Sequence, residues 1–208
     1  ASSIPRGHGC VADTFRDHPA LLATPSVATG AVAAGKGGVR LIERRHLSLI
    51  QVIARAGHER ETGRILGLDL PDRPNSAISV DTVRVFCLRP RDWLIATDGA
   101  EGRSGGIAVE ARTRLAGHAA AIDQSHGRVV LGLEGQGARS LLQKGLNLDL
   151  HPTEFPPGAM CQTGLAGIAV LVHCVAGESF DLFVARSFAG SLAAWLVQHG
   201  ARLEAAAA

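Results

Sequence analysis

The chain has 208 residues, 46% apolar and 19% charged, enough to bury a sizeable core in one compact domain or two small ones. Its 21 Lys and Arg against 19 Asp and Glu leave a formal net charge of +2, too small a surplus for a nucleic-acid polyanion to be the main partner. No apolar run approaches the roughly 18 residues that a membrane span needs, so no membrane role is expected.

Residues 1–38 are rich in Ala, Gly, Ser, Thr and Pro, with apolar residues at neither the strand nor the helix period. They read as an extended arm that is either disordered or ordered against a partner. Gly35-Lys36-Gly37-Gly38 lacks the preceding strand and the following Ser or Thr of a phosphate loop.

From there the chain reads as two halves, 39–118 and 119–202. In the first, Leu47–Ile53 is an apolar run with strand character, and His58–Leu66 a short helix stopped by Gly67. Leu68-Asp69-Leu70-Pro71 leaves the helix extended. Strands Thr82–Leu88 and Asp92–Thr97 follow across a tight Arg89-Pro90-Arg91 link, and a weaker helix runs from Ile107 to Leu115. The second half repeats that order. Gly127–Leu133 alternates as a strand, Gly137–Lys144 is helical and stopped by Gly145, and Leu146-Asn147-Leu148-Asp149-Leu150 matches Leu66-Gly67-Leu68-Asp69-Leu70. Cys161–Val175 and Phe180–Ala185 read as paired strands with Gly177 in their turn. A last helix has Ser187 as N-cap, places Phe188, Leu192, Trp195, Leu196 and His199 on one face, and ends at Gly200. Strand-helix-strand-strand-helix twice over predicts an α+β protein of two ferredoxin-like, split β-α-β halves with antiparallel sheets. Residues 203–208, Leu-Glu and four alanines, read as a tag remnant.

Chemistry-bearing residues are sparse. Cys10, Cys87, Cys161 and Cys174 have no CxxC spacing and read as reduced thiols. His173 and Cys174 are neighbours on a strand and point to opposite faces, so they do not make a metal site. No tyrosine is present and aromatics are 4% of the chain, which argues against a pocket that stacks a flavin or pterin ring. Asp123, Ser125 and His126 are the one local set that suggests a catalytic relay. Consecutive side chains diverge, however, and the simpler reading is a turn in which Asp123 and Ser125 accept backbone N–H groups. Asp69 and Asp149 occupy repeat-equivalent places, which suggests a shared structural task rather than an acid pair.

Asp123-Gln124-Ser125-His126-Gly127, its following strand and Gly135-Gln136-Gly137-Ala138 with Leu141-Leu142 resemble the opening block of the aminomethyltransferase superfamily. Leu148-Asp149-Leu150-His151-Pro152, Phe155-Pro156-Pro157-Gly158 and Phe180-Asp181-Leu182-Phe183-Val184-Ala185-Arg186-Ser187-Phe188 are more specific, and resemble the gamma subunits of heterotetrameric sarcosine oxidases. That resemblance implies a fold like the folate-binding domain of aminomethyltransferases. It implies a cytoplasmic complex with alpha, beta and delta subunits, alpha being the chief contact. The complex would convert sarcosine, oxygen and water to glycine, formaldehyde and hydrogen peroxide, or form methylenetetrahydrofolate when tetrahydrofolate is present. FAD, FMN, NAD and zinc are expected in the partner subunits, and no cofactor, metal or catalytic residue in this chain. The folate-using relatives carry a Gly-Gly-x-x-Asp-Asp-like stretch, where this chain has Ala166-Gly167-Ile168-Ala169-Val170-Leu171. Those side chains can neither accept a proton nor hold a cationic amine. Two alternatives remain: the matching subunit of a related N-methyl amino acid dehydrogenase, and a stand-alone folate-binding module. For contact with partners the candidates are Arg40, Arg44 and Arg45, either a docking patch or a solvated strand end. Trp93 joins them, as either a core residue or an interface anchor.

Overall fold

The computed structural model describes residues 38–45, 47–98 and 104–204. Apart from Gly38, the arm expected at 1–38 lies outside them.

The chain runs β1 (Val39–Arg44), β2 (Leu47–Ala54), α1 (Glu59–Leu66), β3 (Ser76–Val80), β4 (Val83–Arg89), β5 (Asp92–Asp98) and α2 (Ser104–Arg114). It then repeats the order as β6 (Ala119–Asp123), β7 (Arg128–Glu134), α3 (Ala138–Gln143), β8 (Met160–Leu165), β9 (Ile168–Ala176), β10 (Ser179–Ala185) and α4 (Arg186–Gln198), and adds β11 (Ala201–Glu204). Gly67 closes α1 at φ 71°, the left-handed turn that its position predicts. Gly145 is needed for a different reason: a Cβ there would come within 2.6 Å of the Trp195 indole.

Two sheets form, one in the order β11-β1-β7-β10-β9-β8 and the other β3-β4-β5-β2-β6. They are called sheet A and sheet B below. The two chain halves exchange their first strands: β1 pairs with β7 in sheet A, and β6 pairs with β2 in sheet B. Without those two strands each sheet would end at β2 or β7. The exchange therefore ties the halves into one unit by backbone hydrogen bonds. Three apolar layers follow. Leu131, Leu133, Phe180, Leu182 and Val184 of sheet A pack on Leu141, Leu142, Leu192 and Leu196 of α3 and α4. Ile50, Val52, Val85, Trp93 and Ile95 of sheet B pack on Ala108, Ala111 and Leu115. Between the sheets lie Leu49, Phe86, Leu94, Val130, Leu171 and Phe183. The architecture is thus helices, sheet, sheet, helices, and the alternation of each strand sends one set of residues to the helices and the other to the central seam.

Several elements differ from expectation. Cys161–Val175 is two strands, because Ala166 and Gly167 take φ of 51° and 81° and turn the chain tightly into a hairpin. The equivalent hairpin in the first half turns at Asp81, φ 51°. Helix α4 starts at Arg186 with Ala185 at its N-cap, so Ser187 lies inside it, and Phe188 is 52% exposed rather than on the buried face. Leu203 and Glu204, read above as part of a tag remnant, belong to β11, which pairs parallel to β1. No described helix is long and apolar enough to cross a membrane.

Candidate functional site

The Asp123–His126 turn, the candidate relay, bonds to the surrounding fold. Asp123 Oδ1 accepts the Ser125 backbone N–H at 2.9 Å. Ser125 Oγ accepts the Leu49 N–H at 3.0 Å, and Gln124 N–H donates to the Leu49 carbonyl at 2.8 Å. The carboxylate therefore faces the Ser125 amide, and the hydroxyl serves strand β2, so the turn stitches β6 to β2. His126 offers its carbonyl to Arg186 Nε at 3.0 Å, which anchors the start of α4. Asp149 likewise accepts the His151 N–H at 2.8 Å, the structural task expected of it.

The ionic centre of the molecule lies in the seam between the sheets. Asp181 of β10 is 1% exposed. Its Oδ1 accepts Arg44 Nε at 3.1 Å and its Oδ2 accepts Arg84 Nη1 at 2.9 Å. The two arginines come from different sheets, so one carboxylate joins them. Arg44 also donates to Glu134 at 2.5 Å and Arg40 does so at 2.7 Å, while Arg84 reaches Asp98 at 3.1 Å. Gly132 leaves the space that this requires: a Cβ there would sit 2.7 Å from Arg44 Nε. Burial works against the charge on Arg44, but Asp181 and Glu134 outweigh it and raise its pKa. Burial pushes the Glu134 carboxyl up, while hydrogen bonds from Arg40 and Arg44 more than reverse this and hold it below the usual range.

Beside this cluster, His173 is 3% exposed and packs edge-on to Phe86 with ring centroids 5.0 Å apart. Neither ring nitrogen finds a hydrogen-bond partner among the described residues. Burial lowers its pKa to about 4, with Asp181 opposing and Arg84 assisting the shift, so near neutrality it is an uncharged packing group. The thiols of Cys87, Cys161 and Cys174 are pushed up by burial, which makes them poor nucleophiles. Arg139, 6% exposed, donates to the carbonyls of Leu150, Phe155 and Gly177 and so pins the loop after α3. No group of three or more His, Cys, Asp or Glu comes together among the described residues.

The contact candidates separate. Arg40 is exposed and paired with Glu134, Arg45 is exposed, and Arg44 is drawn into the seam. Trp93 is 2% exposed and donates its indole N–H to the Pro71 carbonyl at 2.7 Å. It anchors the floor of an open groove along α1, beside Leu68, Leu70 and Ile78. The rim of that groove balances Arg60, Arg64 and Arg91 against Glu59, Asp69 and Asp72. Sequence reasoning missed Asp181, Arg84 and Arg139 as organising residues. The visible signal was a charge inside an apolar strand run, Phe180-Asp181-Leu182-Phe183 and Val83-Arg84-Val85-Phe86.

The comparisons with known proteins agree with this architecture. The profile of the sarcosine oxidase, gamma subunit family matches residues 53–202. The sarcosine oxidase subunit gamma of Corynebacterium sp. (strain U-96) is 27% identical over 212 residues, 93% of this chain and 97% of that protein. Among solved structures, a chain of the heterotetrameric sarcosine oxidase of Corynebacterium sp. U-96, in complex with pyrrole 2-carboxylate, superposes with a TM-score of 0.70 at 26% identity. That match covers 77% of this chain and 83% of the other. The glycine cleavage system aminomethyltransferase T of Bartonella henselae superposes with a TM-score of 0.57 at 16% identity, over 81% of this chain and 48% of that one, a likeness of fold alone.

Proposed function

The chain belongs to the sarcosine oxidase gamma subunit family, and from that membership we propose that it is the non-catalytic, architectural subunit of a heterotetrameric sarcosine oxidase. Alpha, beta and delta subunits are its partners in this reading, alpha chief among them. The holoenzyme oxidises sarcosine to glycine, giving formaldehyde and hydrogen peroxide, or methylenetetrahydrofolate when tetrahydrofolate is present. FAD, FMN, NAD and zinc reside in the partner chains, and the complex works in the cytoplasm.

The observation that carries the non-catalytic part is the use made of Asp123 and Ser125. Both accept backbone N–H groups, which supports reading the one turn where the superfamily block suggested chemistry as a structural element. The Ala166-Gly167 hairpin adds to this, since the carboxylates of folate-using relatives have no counterpart in a β-turn of Ala and Gly.

Two assays test the reading. The purified chain should show no turnover with sarcosine, nor with methylenetetrahydrofolate and an amine acceptor; turnover that vanishes in Asp123→Asn would overturn it. Co-expression of the partner subunits without this chain should leave them unassembled or unstable. A complex that forms and oxidises sarcosine at the full rate without the chain would remove its architectural role.

A further inference from the structure

Among the described residues, sheet B ends in an open strand whose counterpart in sheet A is covered. In sheet A the exchanged strand β1 is flanked on its outer side by β11, which pairs Val39 with Ala201 and Arg40 with Arg202 in parallel. In sheet B the exchanged strand β6 pairs, among the described residues, with β2 alone. The bonds Gln124 N–H to Leu49 O and Arg55 N–H to His118 O join directly opposite residues at the two ends of this ladder. Alternation then turns the peptide groups of Ala119, Ala121 and Asp123 away from β2. Two of these groups are already used: the Ala119 N–H donates to Leu115 O at 3.0 Å, and the Ala121 carbonyl accepts Arg112 Nε at 2.9 Å. The N–H groups of Ala121 and Asp123 and the Ala119 carbonyl face outward.

A second, independent feature adjoins that edge. Ile53 is 36% and Ile122 40% exposed, and Ala120, opposite Ile53, is exposed as well. These side chains share the sheet face that looks toward sheet A, at the corner that sheet A leaves uncovered. The strand, Ala-Ala-Ala-Ile-Asp, carries none of the Lys, Pro or bulges that usually protect an edge.

We propose that β6 receives an extended segment of another subunit, which adds a strand to sheet B and covers Ile53 and Ile122. The charge around the edge defines that segment. Arg55 and Arg112 are exposed beside it, and Arg128, near its C-terminal end, has a buried Nε with no hydrogen-bond partner among the described residues. Two acids lie nearby: Asp123, one oxygen of whose carboxylate serves Ser125, and Asp92, which acts on Arg128 and is itself bound to Gln51 and Arg89. The complement is an apolar strand bearing acidic side chains. A second copy of this chain fits poorly, because antiparallel pairing of two β6 strands would bring one Arg112 toward the other. The chain's own first 37 residues fit poorly too, carrying Arg6, Arg16 and Lys36 against Asp13 and Asp17.

The proposal rests on the reading of the chain as a subunit of a larger complex, and the test separates the two. Hydrogen exchange is compared for the full chain alone and for the co-purified complex, and assembly affinity is measured for the double variant Ile53→Lys, Ile122→Lys. The amides of Ala121 and Asp123 should exchange fast in the free chain and become protected in the complex. The double variant, folded as judged by circular dichroism, should bind its partners about tenfold more weakly. A complex that assembles with these amides unprotected and the variant binding normally would overturn the proposal and leave the subunit reading standing. Failure to co-assemble at all would remove both. Protection already present in the free monomer would assign the slot to the chain itself, and a wild-type homodimer that protects β6 would assign it to a second copy; either result overturns the proposal.

Discussion

The two exchanged strands build equivalent corners of opposite character. In sheet A the pairs from the rim inward are Arg40 with Glu134, Ile42 with Gly132 and Arg44 with Val130. In sheet B they are Ala120 with Ile53, then Ile122 with Gln51, and Gln124 beside Leu49. Where sheet A sets a salt bridge, sheet B sets an isoleucine. The contrast continues along the middle row: Ile42, Gly132, Asp181 and His173 in sheet A face the equivalents Ile122, Gln51, Leu94 and Phe86 in sheet B. One scaffold thus carries a row whose charge, Asp181, is paired inside the chain, and a mostly apolar row whose end, Ile122, is exposed. Sheet A spends its charges on joining the halves. Sheet B leaves Ile53 and Ile122 exposed at its edge.

The strongest way to break the contrast is to give sheet A the side chain of sheet B. Asp181→Leu copies Leu94 but strips the shared carboxylate from Arg44 and Arg84, which keep Glu134 and Asp98. Removing one side of a buried ionic cluster leaves charge without compensation, so unfolding should become easier by about 3 kcal/mol in a denaturant titration. A loss below about 0.5 kcal/mol would mean that the clamp contributes little to joining the sheets.

His173 has a pKa of about 4 in the folded chain, against an ordinary value near 6.5. Between those values the unfolded chain holds more protons, so stability falls as pH drops from about 6.5 toward 4 and this group takes no more below that. The full loss is about 3 kcal/mol. His173→Phe, which copies Phe86, should flatten this part of the stability curve measured by thermal unfolding from pH 7 to 4. An unchanged slope would place the acid sensitivity elsewhere.

How much of this could be read beforehand depended on whether the signal was local. Strands β2 and β7, the glycine stop of α1 and the Asp123–Ser125 turn each follow from a few neighbouring residues, and each stands as predicted. Strand β6 is mostly alanine, with no β-branched residue before Ile122, so propensity hides it. Its identity comes from pairing with β2, some 70 residues earlier in the chain. The exchange of β1 and β6 is invisible for the same reason. In the ionic centre, Asp181 is odd enough to notice inside an apolar run, but its partner Arg84 lies 97 residues away. Sequence proximity singled out Arg40, Arg44 and Arg45 together, whereas strand alternation sends Arg44 into the seam while Arg45 stays exposed beyond the strand end.

The loops after the first helix of each half offer a milder contrast. The second half holds its loop with Arg139 on the carbonyls of Leu150 and Phe155. The first half uses the Trp93 indole on Pro71. Trp93→Phe keeps most of the apolar volume but leaves the Pro71 carbonyl without its donor, which should cost about 2 kcal/mol. Equal stability by chemical denaturation would show that packing alone secures the loop.

The smallest effect on stability, and the sharpest on the contrast between the sheets, belongs to Arg112→Ala. Arg112 is exposed and its Nε caps the Ala121 carbonyl at the open edge. An exposed helix residue replaced by alanine, itself a good helix former, should change folding stability by no more than about 0.5 kcal/mol. The edge is another matter. Without the guanidinium, the Ala121 carbonyl joins the outward Ala121 and Asp123 N–H groups as an unpaired row, and the like-charge conflict that opposes pairing of two β6 strands disappears. Sheet A meets the same problem with a covering strand, β11, whereas sheet B meets it with one side chain. The variant should therefore self-associate as concentration rises in sedimentation velocity, while the wild-type chain stays monomeric over the same range. Adding Ile122→Lys to Arg112→Ala should restore the monomer, because it returns a positive charge to the edge strand. A single variant as monomeric as wild type would show that the short length of β6, rather than Arg112, is what keeps this edge from pairing.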